Sequence, residues 1–173
     1  MEPVPAVVHL DSPFINFRDF DFGEGSHGFR WVDLKRFRLS PEALDDRDVL
    51  AALIAHPQFR DTYDGSGVQD WPRHGQWWLD RIAPGTYEAV DAATAVDSIR
   101  SWADQHGAVP EPLASRLRQE IYAPIREATS RYLLGRLPED AFHDYGPIHI
   151  DFHELLLINR PAATLTLLVA ADD

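Results

Sequence analysis

Apolar and polar residues alternate at both ends of the chain and recur at helical spacing between them. Residues 6–10 are short and β-rich. Residues 14–22 (FINFRDFDF) and 29–39 (FRWVDLKRFRL) keep a period of two, and the glycine-rich stretch 23–28 (GEGSHG) between them predicts a hairpin turn. Near the C-terminus, residues 148–158 and 164–170 read as two more strands, joined by a turn at Asn159, Arg160 and Pro161.

The middle of the chain changes period. Ser40 and Pro41 are an N-cap followed by proline in the first turn, and Val49, Leu50, Leu53 and Ile54 form an apolar stripe that ends at His56-Pro57. Residues 61–74 read as a long loop, and 86–90 as a short strand. Asp91 caps a helix over 92–106, with Ala95, Val96, Ile99 and Trp102 on its inner face and Gly107 as its stop. Pro110 and Pro112 open a longer helix whose stripe is Leu113, Leu117, Ile121, Ile125, Ala128 and Tyr132. Pro124 inside it predicts a kink. Residues 137–147 form a polar connection. Strands at both ends and helices between them predict one α+β domain over 1–173. It consists of a mainly antiparallel sheet, from N-terminal strands and a C-terminal hairpin, with three to four helices packed on one face.

Length and composition narrow the class. A chain of 173 residues buries a sizeable core, and it has no cysteine, which removes disulfides, thiolate metal sites and cysteine nucleophiles. No basic, apolar leader is visible at residues 1–14, and no apolar run approaches the length that spans a membrane, so the expected location is cytoplasmic, without membrane contact. The net charge is −12, which argues against nucleic acid and suits a basic protein partner. Lys35 is the only lysine, so 15 of the 16 basic residues are arginine. With the abundant alanine, aspartate and proline, this composition suggests a bacterial, high-GC genome such as that of an actinobacterium.

The stretch His149-Ile-Asp-Phe-His-Glu154 carries the sharpest candidate chemistry. On a strand, His149, Asp151 and His153 project from one face, and two imidazoles with one carboxylate are ligands for a divalent metal such as Zn, Fe or Mn. The spacing is awkward, because i and i+4 on a strand lie roughly 13 Å apart, so a third ligand such as His143 would come from elsewhere. His153 and Glu154 are also candidates for acid–base work without metal. The plainer alternative is the polar side of a half-buried strand. A second feature is the aromatic block of Trp71, Arg73, His74, Trp77 and Trp78, whose large faces suit a partner or small-molecule contact as well as a core. The glycine-rich tip is able to carry Glu24 or His27 over a site. Asp61, Asp64 and Asp70 lack calcium-loop spacing and read as solvated loop charges.

Two functions of different class follow. The first is an acidic binding module, such as an immunity protein or regulator that masks a basic partner. The alternative is a small metal-dependent or histidine-assisted enzyme around His149, Asp151 and His153.

Overall fold

The runs 155–158 (LLLI) and 165–171 (LTLLVAA) hold too many apolar residues for a strand with one wet side. Successive residues face opposite ways, so such runs need cover on both faces. The computed structural model of the chain describes residues 2–23, 29–42, 44–147 and 149–172, and in it these runs are central strands.

The strands are β1 (Val7–Asp11), β2 (Phe14–Asn16), β3 (Arg30–Leu39), a two-stranded ribbon of β4 (Arg73–His74) and β5 (Trp77–Trp78), then β6 (Tyr87–Ala89), β7 (Ser130–Leu134), β8 (Phe152–Asn159) and β9 (Thr164–Asp172). Apart from the ribbon, the described strands form one antiparallel seven-stranded sheet in the order β1-β3-β9-β8-β7-β6, with β2 also paired to β3. The expected C-terminal hairpin is β8–β9, with Asn159 opposite Thr164. The pairing of β3 with β9, Lys35 opposite Leu167, joins the two ends of the chain.

The helices are α1 (Asp46–Ala55), α2 (Ala92–Ala103) and a rod in which α3 (Glu111–Leu117) passes through a π-helical turn, Arg118–Tyr122, into α4 (Ala123–Glu127). Pro124 lies just after that turn. Proline removes one ladder hydrogen bond and crowds the carbonyl four residues back, and the wider turn accommodates it.

The α+β class and the mainly antiparallel sheet are as expected, but the helices divide between the faces. Val32, Leu34, Leu155, Leu157 and Leu168 pack with α2 and the α3–α4 rod. Trp31, Phe37, Leu156, Ile158, Leu165 and Leu167 face the other way, toward Val49, Leu50 and Leu53 of α1 and toward Phe59, Tyr63, Trp77 and Tyr87. The second face therefore rests largely on the long connection after α1, which buries Phe59, Tyr63, His74 and Trp77 while its stretch 64–68 stays exposed.

Several boundaries differ from the sequence pattern. The first helix starts at Asp46, not behind Ser40, because Asp45 is its cap: its side chain accepts from Asp48 N at 2.8 Å. The run 14–22 stops pairing after Asn16, whose side chain accepts from Arg18 N and starts a 3-10 turn. The third helix ends at Glu127 rather than reaching Tyr132, because Ala128 turns extended and residues 130–134 become β7. β8 begins at Phe152, not at residue 148.

Leu168 is fully buried between sheet and helices, whereas Leu10 is 50% exposed. Leu168→Ala is expected to lower stability by about 2–5 kcal/mol, and Leu10→Ala by no more than about 0.5 kcal/mol. Urea unfolding of the two variants measures both, and equal losses would contradict the burial.

Candidate functional site

The single lysine is buried. Lys35 lies on the face of β3 that packs toward α1, and its Nζ donates to Asp33 Oδ2 at 2.8 Å, Asp61 Oδ2 at 2.9 Å and Tyr63 OH at 3.3 Å. Three donors meet three acceptors, which is the full capacity of an ammonium group. Asp33 comes from the same strand. Asp61 and Tyr63 come from the segment that follows the 3-10 turn Pro57–Phe59. Asp61 also accepts from Tyr63 N at 2.8 Å, through Oδ1. This holds Tyr63 at φ 57°, a left-handed conformation that few side-chain-bearing residues adopt. Burial pushes the Asp33 carboxyl above its usual range despite Lys35, and the neighbouring Asp61 charge pushes the same way. Burial likewise raises the Tyr63 phenol well above its usual range, aided by the surrounding carboxylates.

A cavity of about 500 Å³ opens on this cluster. Asp33 and Asp61 line it together with Trp31 and Tyr63, and Phe14, Asn16, Arg18, Asp64, Gly65, Gly67 and His149 complete the lining. Three rings form a stack: Phe14 and Trp31 are 5.8 Å apart at 27°, and Trp31 and Tyr63 are 5.7 Å apart at 22°. Phe14 is 48% exposed. Gly65 and Gly67 both have positive φ, so the loop carrying Asp64 turns tightly beside the cavity.

Further along the same face lies a second buried polar group. Across the sheet, Asp33 on β3 is opposite Val169 on β9, and Val169 is opposite Glu154 on β8. Glu154 is hydrogen-bonded to His74 Nε2 and accepts from the Tyr87 hydroxyl. His74 Nδ1 donates to Phe59 O at 2.6 Å, and its ring stacks on Phe59 at 3.6 Å. Burial raises the Tyr87 phenol well above its usual range, and Glu154 adds to the effect. His74 and Glu154 are sealed from solvent, and every polar atom named here has a partner. The group ties the segment 57–87 to the sheet.

The structure separates the residues of the HIDFHE stretch. His149 precedes the regular strand, is buried, and its ring packs 5.7 Å from Trp31 and 5.7 Å from Phe152. His153 projects from the opposite face, where its ring lies 6.3 Å from Trp102. The shared face predicted for His149, Asp151 and His153 fails because pairing that imposes strict alternation begins only at Phe152. His143 uses both ring nitrogens internally: Nε2 donates to Gly75 O at 2.9 Å, and Nδ1 accepts from Tyr145 N at 3.1 Å. Among the described residues, no three histidine, aspartate or glutamate side chains are grouped to hold a metal. Glu24 and His27 lie outside the described residues.

The aromatic block is split. Trp77 is buried against Phe142 and Phe152, His74 belongs to the Glu154 group, and Trp71 is 38% exposed. The Arg73 guanidinium lies among the rings of Trp71, Trp78 and Tyr145, at 5.5, 5.4 and 5.0 Å. His153 and Glu154 line a different cleft of about 530 Å³, beside Leu133, Leu134, Arg136 and Phe152. It lies beyond the last registered β7–β8 pair, Leu133 with Leu155.

Asp61 corrects the reading of the loop acids. It is buried and ion-paired, not solvated, whereas Asp64 and Asp70 are exposed. The Lys35–Asp61 pairing is a long-range contact that local pattern does not reveal. The one available signal was the single lysine placed inside an alternating strand. Neither a family model nor a curated protein matches this sequence. No helix among the described residues is long and apolar enough to cross a membrane.

Lys35→Met leaves Asp33 and Asp61 buried without their shared cation. It is expected to lower stability by about 3–5 kcal/mol at neutral pH, with a smaller loss toward about pH 4, where carboxylates take up protons. Urea unfolding of the variant across that range tests this, and a loss independent of pH would contradict it. His153 has a different signature. Burial holds its pKa below the usual 6.5, while Asp151 and Asp172 oppose the shift. The unfolded chain therefore binds the proton more readily, so the contribution present above 6.5 is lost as pH falls through the lowered native value. His153→Gln is expected to flatten the fall in urea midpoint between about pH 7.5 and about pH 5.5. An unchanged slope would contradict it.

Proposed function

We propose that this chain is an acidic, cytoplasmic binding module that receives a basic partner protein on the face around Phe14, Trp31 and the Asp64–Gly67 loop. One observation carries the reading. The two carboxylates that line the cavity share one ammonium, so the lining keeps an excess negative charge beside the half-exposed Phe14 ring. Buried charges are ordinarily paired, and an excess of one sign attracts the other from outside. The overall charge of −12 adds long-range attraction. Exposed apolar side chains flank the cavity in the chain: Val68 follows Gly67, and Ile150, 79% exposed, follows His149. Such residues suit the contact core of a protein interface better than open water.

A second reading is acid–base chemistry in the cleft by His153. Its support is the depressed pKa, which keeps the imidazole neutral and able to accept a proton. Glu154 beside it is already engaged by His74 and Tyr87, which favours a structural role for that carboxylate.

Cross-linking in native extract followed by mass spectrometry identifies the neighbour, and kinetics with that purified protein test the proposal. The expected partner is basic, and its association rate falls about tenfold or more between low and high salt. A partner whose association is indifferent to salt would remove the reading.

A further inference from the structure

We infer that the cavity lined by Phe14, Trp31, Asp33 and Asp61 is the receptor for an arginine side chain of the basic partner, an inference that rests on the binding reading above. The charge count comes first. Asp33 and Asp61 contribute two negative charges and Lys35 one positive charge, which leaves one negative charge at the base of the cavity. Arg18 and Asp64, both exposed and both lining the cavity, offset each other. Lys35 bonds only Oδ2 of Asp33, so the second oxygen of that carboxylate is outside the ion pair.

Shape selects among cations. In the near-parallel stack Trp31 is covered by Phe14 and Tyr63, and Lys35 Nζ lies 4.5 Å from the Tyr63 ring centroid, so the half-exposed Phe14 ring, on the strand position opposite Asp33, is the one that offers a face to a flat group. A guanidinium is planar, stacks on aromatic faces and donates through a fork that matches carboxylate oxygens. An ammonium is compact, strongly hydrated and gains less from a face. This fold already holds one guanidinium in that way, Arg73 among Trp71, Trp78 and Tyr145. The cavity volume of about 500 Å³ exceeds the guanidinium and leaves room for the aliphatic stem beside Phe14. The exposed Phe14, Val68 and Ile150 then meet the partner's surface around that side chain, so a protein-borne arginine fits better than a free one.

The test is a titration of isotopically labelled protein with N-acetyl-arginine-methylamide, followed by amide and indole NMR shifts. The lysine analogue and the Phe14→Ala variant run in parallel. Phe14 is exposed, so its loss leaves the core intact, and an unchanged spectrum elsewhere verifies this. The expected result is saturable shifts at Trp31, Tyr63, Gly65 and Gly67 with the arginine compound. The response to the lysine compound is weaker, and affinity in Phe14→Ala is about threefold lower, the worth of one exposed cation–ring contact. Asp33→Asn is expected to abolish the saturable shifts. Silence at those four residues, or equal responses to the arginine and lysine compounds, overturns the inference. A salt-sensitive basic partner found together with a silent cavity removes the arginine receptor alone. A responsive cavity in a chain whose partner ignores salt removes the binding-module reading and points to a free guanidinium compound as the ligand.

Discussion

The ammonium of Lys35 is the contact on which the second face of this protein depends. It lies on β3, a strand hydrogen-bonded on both sides, and it draws in Asp61 and Tyr63 from a connection that holds only short 3-10 turns and a two-residue ribbon. That connection covers the sheet where no helix does. Arginine is the cation used everywhere else in the chain. Its flat fork would not reach three acceptors placed around a point, whereas an ammonium presents three donors in a tetrahedral array. The choice of lysine at this one position therefore has a geometric reason. The pairing also fixes the cavity, since the carboxylates that hold Lys35 form its base, and Tyr63, bound through its hydroxyl, forms a wall.

The two faces of the sheet are built differently. On one, α2 and the α3–α4 rod bury aliphatic side chains in the ordinary way. On the other, α1 covers only part of the sheet, and the remainder is closed by aromatic rings and two polar groups, Lys35 with its acceptors and Glu154 with His74 and Tyr87. Buried polar groups add little net stability, but they tolerate few alternative arrangements. They suit a segment that has little local preference and must still take one path.

Much of the architecture is legible in the sequence, because strands β3, β8 and β9 and helix α2 announce themselves by period, caps and turns. Asp91 caps as its position predicts, and Asn159 to Thr164 closes the expected hairpin. What fails has physical causes. Ala128 and Tyr132 continue the spacing of the third helix, yet pairing of Ser130 with Ile158 and Leu133 with Leu155 wins residues 130–134 for the sheet. The placement of all helices on one face overlooks the unbroken apolar runs of β8 and β9, which ask for two covered faces. The candidate site is less legible still. His149, Asp151 and His153 attract notice because they are close in sequence. The residues that do converge, Asp33, Lys35, Asp61 and Tyr63, are joined by a contact across 26 residues that no local spacing encodes.

The binding reading and the fold meet in Asp33. A carboxylate buried with only half of a shared cation is a poor arrangement for stability alone. Burial first, and the Asp61 charge after it, raise its pKa against the pull of Lys35. A fully hydrophobic base, or a second cation from the chain itself, would remove the difficulty. The neighbouring Glu154 group shows that this fold can satisfy buried polar atoms completely where only structure is at stake. The contrast between a sealed, saturated group and an open, unbalanced one on the same row of the sheet supports the proposal that the first serves structure and the second recognition. On that proposal, a cation entering the cavity would restore the balance and stabilise the ionised Asp33, linking binding and stability through one carboxylate.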